Sequence, residues 1–382
     1  MRTQSERVLS NEPDSSWLLR GEVVYIYAYD VAHDMKRERL QGLLGQPAEE
    51  YSVGASRRSP EQWFFYRPDV VSLPAIEKET PQGLVPISRT VKVFSIGAIS
   101  IQVRVPFEVN RLQDLVSFYE LRLGDKSLDG EVHDLADESR KELEPFCIRP
   151  ASQLGKAETY TVFCIYDIPI VDRGGDRAED WLLVNRRQIG ALLSQEPNAA
   201  RLSGQEITES TERYLTYYDS DLVVVDWDAA LVVSDRDSLD EILHVVELAN
   251  VQLLELGAYD RVLDASLERA YRDLDRRAVA LRREVRRHLR EIRVDLARLS
   301  DELLNTTKFF GDWHLARIYQ ALFNRFHLAD WHNVITVKLK TLAELYQLLH
   351  QDWINFWMVV LEGTIVLLFL IDVLLLIVGL HE

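Results

Sequence analysis

Few residues in this 382-residue sequence could do chemistry, and their spacing limits what they can do. Asp226 and Asp228 form a carboxylate pair two positions apart. On one face of a strand such a pair could act as acid and base. Around Trp227 at a hairpin tip, however, both are expected to be solvated turn residues. Cys164 lies in the apolar run TVFCIYDI, where a buried, unreactive thiol is expected. His327 and His332 are the nearest pair among nine histidines. Five positions turn a helix by about 140°, so one face cannot offer both to a metal. Gly174-Gly175 lies in a polar loop with no lysine placed to meet a phosphate, and neither common glycine-rich phosphate motif occurs. No catalytic, cofactor-binding or metal-binding set is expected, and the chain is read as a non-enzyme. The alternative is an enzyme whose site lies in the N-terminal domain without a recognisable motif.

Charge gives sharper signals. Nine arginines fall between Arg276 and Arg298, against only Glu284, Glu291 and Asp295. Arg282, Arg283, Arg286, Arg287, Arg290 and Arg293 could meet RNA phosphates, anionic headgroups or another protein, since guanidinium forks suit phosphate geometry. A solvated, ion-paired face is the plainer reading. Glu362 and Asp372 stand in the most apolar stretch of the chain. Ionisable groups inside a membrane span are costly and usually face protein or water. Glu362, near the start of the stretch, can reach the interface, whereas Asp372 is expected to mark self-association or contact with another membrane protein.

Several elements would position these residues. Val359 to Leu380 would make about 33 Å of helix at about 1.5 Å per residue, enough for a hydrocarbon core of about 30 Å. Trp353, Phe356 and Trp357 precede it, where an aromatic belt would sit. The start of the chain lacks a signal-peptide pattern, and Lys338 and Lys340 lie before the span with no lysine or arginine after it. A tail anchor with the bulk of the chain in the cytoplasm is therefore expected, in the inner membrane if the source is a bacterium. Leu274, Ala278, Leu281, Val285, Leu289, Ile292, Leu296, Leu299 and Leu303 recur at spacings of three and four, the seam of a coiled coil. Further helices are expected over Trp313–Phe326 and from an N-cap at Asp330 towards the span. The pairing partner of the seam could be this chain, folded into an antiparallel hairpin, or another copy.

Upstream, β-branched and aromatic runs predict strands at Val23–Tyr29, within Val91–Val105 with a bend at Ile96-Gly97, at Tyr160–Ile168, and as a hairpin over Leu222–Val233. Leu112–Leu121 and Ala178–Leu193 read as helices, and another from Ser238 is expected to lead out to the arm. The expected organisation is α+β: a polar segment 1–20, an acidic α/β head 21–237, a helical coiled-coil arm 238–353 and a transmembrane anchor 354–380. The net charge of −17 is uneven. Residues 1–265 hold 28 Lys+Arg and 46 Asp+Glu, whereas 266–353 hold 16 and 12. This balance argues against a general nucleic-acid binder. The two cysteines, Cys147 and Cys164, are too few for a disulfide framework.

Asn305-Thr306-Thr307-Lys308-Phe309-Phe310, then Leu315-Ala316-Arg317-Ile318-Tyr319, then Lys338-Leu339-Lys340-Thr341-Leu342 ahead of a C-terminal span form a distinctive order. It resembles the family of membrane-anchored proteins named for a requirement in meiotic nuclear division, found in bacteria and mitochondria. The matching positions are Phe309, Phe310, Leu315, Tyr319, Leu339 and Leu342. Val93-Phe94-Ser95-Ile96-Gly97 is similar to that family's aromatic strand, and Leu248–Leu256 to its helix after the last strand. The chain departs from the family in lacking a proline after Asn305-Thr306-Thr307, and in Gly311-Asp312-Trp313. The resemblance implies membrane anchoring, large assemblies and, from mitochondrial relatives, a tethering role in organelle translation; it supplies no catalytic residues. The functional expectation is an oligomeric, membrane-anchored scaffold presenting its head to a partner. A ribosome or RNA tether acting through the arginine-rich helix is the alternative, and no small-molecule substrate is indicated.

Overall fold

The computed structural model describes residues 18–36, 38–51, 68–80, 83–119, 121–123, 126–167, 177–275, 294 and 313–379. It is a mixed α+β structure with a large N-terminal sheet and helices in the C-terminal half. The sheet strands are β1 (Leu19–Asp30), β2 (Glu49–Glu50), β3 (Asp69–Thr80), β4 (Gly83–Val93), β5 (Ala98–Val109), β6 (Glu158–Asp167), β7 (Tyr214–Leu215), β8 (Leu222–Val225) and β9 (Ala229–Val233). Their order in space is β7-β8-β9-β6-β1-β5-β4-β3-β2. The β6–β9 pair is parallel, with Phe163 opposite Leu231, and the other neighbours are antiparallel.

β1 lies in the middle of this order, which explains its composition. Val23 to Tyr29 is apolar throughout because both faces of the strand are covered. On one face Tyr25, Tyr27, Ile101, Val103, Phe163 and Leu231 join a core with α1 (Leu128–Leu143), α2 (Ala178–Leu193) and the 3₁₀ helix Leu112–Phe118. The alternate residues Val24, Ile26, Val162, Cys164 and Val232 are buried on the other face. That face receives α4 (Arg236–Asp275) and α5 (Trp313–Arg325), which follow α3 (Gly204–Glu212) in the chain. The side-chain bonds given below attach both helices to it.

Contacts divide the chain into two units, 1–255 with 306–328, and 256–305 with 329–382. The first is the head, and the chain returns to it to place α5. Leu315, Ala316, Ile318, Tyr319 and Leu322 make α5's buried face. In the second unit Lys338 of α6 (Leu328–Gly379) bridges Asp260 at 2.7 Å and Asp264 at 2.6 Å. Leu263, Ile335, Leu339 and Leu342 are buried there.

The expected strands are present: β1, β4 and β5 run beyond the expected bounds, β6 starts two residues earlier and ends at Asp167, and the β8–β9 hairpin keeps the expected bounds. The bend at Ile96-Gly97 is a hairpin turn, and Gly97 takes φ +87° with its oxygen accepting from the amides of Val31 and Ala32. A Cβ there would lie 2.0 Å from the Ala32 oxygen, so glycine is required. The helix expected from Ser238 is present, starting at Arg236, packing its first turns on the sheet and running on to Asp275, past the division between the units at residue 255. Two expectations need correction. Leu112–Leu121 is a seven-residue 3₁₀ helix ending at Phe118. Asp330 is not an N-cap but lies in the first turn of α6, which runs unbroken for 52 residues. Within α6, Trp357–Leu374 is an 18-residue stretch of mean hydropathy 2.2, long and apolar enough to cross a membrane, and none of it is buried.

Candidate functional site

A polar seam runs between the α4-facing side of the sheet and the first turns of α4. Strand alternation puts Ser100, Gln102 and Arg104 on one side of β5, and the β4 register places Lys92 opposite Ser100. Asp240, His244 and Glu247, spaced four and three, share the facing side of α4. At the inner end Glu247 is fully buried and both its oxygens are taken. Lys92 Nζ bonds Oε2, and Ser100 Oγ donates to Oε1 at 2.6 Å. Tyr51 stacks on His244 with ring centroids 4.3 Å apart, and Lys92 Nζ lies 4.9 Å from the Tyr51 centroid. Burial, and then the Lys92 charge, hold the pKa of His244 well below the usual imidazole value. At the outer end Arg104 bridges Asp240 at 2.6 Å and Glu22 at 3.4 Å. Burial raises the Glu22 carboxyl, with Arg104 opposing it. Between the two ends Gln102 accepts weakly from Arg104 at 3.5 Å, and its amide nitrogen meets no acceptor among the described residues.

Where Pro106 pairs with Glu22 across β1 and β5, a groove of about 400 Å³ is lined by Arg20, Gly21, Val85, Pro106, Phe107, Glu108, Tyr166 and Arg236. Arg20 pairs with Glu108 at 3.1 Å, and the Arg236 guanidinium lies 4.4 Å from the Tyr166 ring centroid. Burial pushes the Tyr166 phenol up to about 12. The groove lining mixes both signs of charge with Val85, Pro106 and Phe107.

The inner cluster has no chemistry left over. Ser100 gives its proton to a carboxylate already held by Lys92, and the cluster is closed to solvent, so neither an activating base nor a substrate reaches the hydroxyl. Burial likewise drives the Cys164 thiol far above its ordinary pKa, leaving the inert thiol expected of it.

A second cluster joins α5 to the β8–β9 hairpin. Asp226 was expected to be a solvated turn residue, but it is buried. Arg325 Nη2 bonds Asp226 Oδ1, Arg325 Nη1 lies 3.8 Å from Glu209, and the Tyr160 hydroxyl donates to the Asp226 carbonyl at 2.8 Å. Asp228 is exposed, so only this one of the two aspartates is the surface residue expected. The cause is long-range, since Arg325 arrives from 99 positions away to neutralise a charge that local sequence would leave in water. Tyr319 donates to Gln252 Oε1 at 2.5 Å, so this residue of the family-like set works inside the head. Leu315 is buried beside it on α5.

The other sequence candidates are distributed as follows. Leu274 lies in the last turn of α4. Leu281, Val285, Leu289, Ile292, Leu296, Leu299 and Leu303 lie outside the described residues, as do Arg282, Arg283, Arg286, Arg287, Arg290, Arg293, Phe309 and Phe310. Glu362 and Asp372 are both exposed on the apolar stretch of α6. Among the described residues no group of three or more His, Cys, Asp or Glu side chains is placed to hold a metal. Sequence reasoning missed Lys92, Ser100, His244 and Glu247. The one available signal was a glutamate and a histidine on the apolar face of the helix from Ser238.

Glu22, Lys92, Ser100, Gln102, Arg104 and Asp240 of the seam fall within residues 20–240, which match the family model described as "Uncharacterized protein MJ0711, N-terminal domain", whereas His244 and Glu247 lie just beyond it. The chain belongs to this family. It is similar to a Methanocaldococcus jannaschii protein, "Uncharacterized protein MJ0711", with 22% identity over 219 residues. The match covers 57% of this chain and 65% of that protein. No solved structure matches. The MJ0711 family region holds the whole groove lining, whereas α5, α6 and the stretch 305–342 that carries the meiotic-division resemblance lie outside it.

Proposed function

We propose that the protein is a single-pass, membrane-anchored scaffold whose α+β head, held on the cytoplasmic side, binds a partner without catalysing a reaction. The observation that carries this reading is the wholly unburied Trp357–Leu374 stretch, joined to a head whose internal charges are met from within. In water so much apolar helix would aggregate, whereas a bilayer covers it. The seam from Leu274 to Leu303 would serve as the pairing arm of an oligomer. The groove beside Arg20 and Arg236, open and of mixed charge, is where the head would take a ligand or a peptide. Membrane fractionation tests the anchor. The full chain should stay in the pellet through alkaline carbonate, and a chain ending at His350 should not; a full chain released by carbonate would overturn the reading.

The density of arginines between Arg276 and Arg298 favours a second reading, a membrane tether for the ribosome or RNA. It expects salt-sensitive co-sedimentation with ribosomes that is lost when Arg282, Arg283, Arg286 and Arg287 become glutamate. Sedimentation unchanged by those substitutions would remove it.

A further inference from the structure

We infer that the apolar stretch of α6 is a parallel dimer interface between two copies of this chain, set in register by a hydrogen bond between their Asp372 side chains. The inference rests on the membrane-anchored reading and names the partner of its span.

Met358, Leu361, Ile365, Leu368 and Asp372 follow one another at spacings of three, four, three and four, and all are exposed on one continuous helix. This is a heptad seam, and the sequence continues the spacing at Leu375. Met358, Ile365 and Asp372 fall at its a positions and Leu361 and Leu368 at its d positions. Leucine at d with a β-branched residue at a is the pattern of a two-stranded parallel coiled coil, and left-handed crossings of this kind are common between membrane helices. A single polar residue at one a position is a recurrent device for fixing register and strand number.

Asp372 argues for a second copy in particular. A carboxyl group in hydrocarbon requires a polar partner, and among the described residues this is the one candidate span, so the partner comes from another chain. Copies inserted by the same route run parallel, so residue 372 meets residue 372. Two carboxyl groups are mutually complementary at that point, one donating its proton and the other accepting. Glu362 lies next to a d position and outside the seam, which fits a side chain that reaches for the interface.

Single cysteines introduced into the full chain in native membranes test the arrangement. Cys147 and Cys164 are buried and give a silent background. Under mild oxidation Leu361→Cys, Ile365→Cys and Leu368→Cys should cross-link about tenfold more than Val366→Cys or Leu370→Cys, because only the former bring the two chains within disulfide reach. Asp372→Asn should keep this seven-residue pattern, and Asp372→Leu should spread it around the helix. Cross-linking that is even around the helix, absent, or unaffected by Asp372→Leu overturns the inference while carbonate resistance persists. Loss of carbonate resistance in the unsubstituted chain instead removes the anchoring reading beneath it.

Discussion

Glu247 and Asp372 are both carboxylates set among apolar side chains, one inside the head and the other on the unburied stretch of α6. The head answers Glu247 completely, with Lys92 and Ser100 brought from strands 155 and 147 positions away. No ion pair reaches Asp372 among the described residues, and on the reading above its hydrogen bond comes from a second copy. On that reading, the contrast separates a region that is electrostatically finished by its own chain from one that is finished only on assembly. Substitutions should therefore act on stability in the head and on association in the span.

The largest expected effect tests the head's side of this contrast. Glu247→Leu or Lys92→Met alone strands one buried charge and should cost about 3–5 kcal/mol, read as a lower urea midpoint. The double substitution should cost less than either single change; a strictly additive double would show that the pair does not act as a unit. Asp372→Leu should leave that midpoint unmoved while changing the cross-linking pattern. Next, Arg325→Ala leaves Asp226 buried beside α5 and should cost about 2–4 kcal/mol, with partial recovery in the double variant Arg325→Ala/Asp226→Asn.

His244 gives a graded test. The fold holds it neutral, with a pKa depressed by burial and Lys92. The unfolded chain takes up that proton below about pH 6.5, so native stability falls as pH drops below this value. The slope should approach about 1.4 kcal/mol per pH unit, and His244→Phe should flatten it. A smaller effect is expected at Tyr25, whose hydroxyl donates to the Phe118 carbonyl at 2.5 Å; Tyr25→Phe should cost about 1 kcal/mol. Smallest of all, Lys126→Ala removes an exposed pair with Asp134 and should not shift the midpoint measurably.

How much of this was legible follows from the range of the interactions. β1, the β4–β5 turn and the β8–β9 hairpin were readable because apolar runs and a glycine state them locally. The two-faced burial of β1 was present in its unbroken VVYIYAY run, yet its neighbours were not, since its partners on β5 and β6 lie far along the chain. α1 escaped because Leu128, Val132, Ala136 and Leu143 form a thin apolar line among charged residues. β3 escaped because Pro74 and the run Glu77-Lys78-Glu79 read as loop, although both are normal on a strand near a sheet edge. In the candidate site, Asp226 was visible but its partner was not. The seam was invisible because it joins β1, β4, β5 and α4. The heptad in α6 needed only the sequence and an unbroken helix on which to place it.

The return of the chain to the head at residues 306–328 also sets an order in time. A nascent chain has strands and α4 to fold early, but the side of the sheet beside Asp226 stays unsealed until α5 has been made. Trp357 follows Leu328 by about 29 residues, or about 1.5–6 s of synthesis at about 5–20 residues per second. On the membrane-anchored reading, closing of the head and engagement of the span thus fall within seconds of each other. Slow codons placed between the two would favour a finished head before the membrane is engaged.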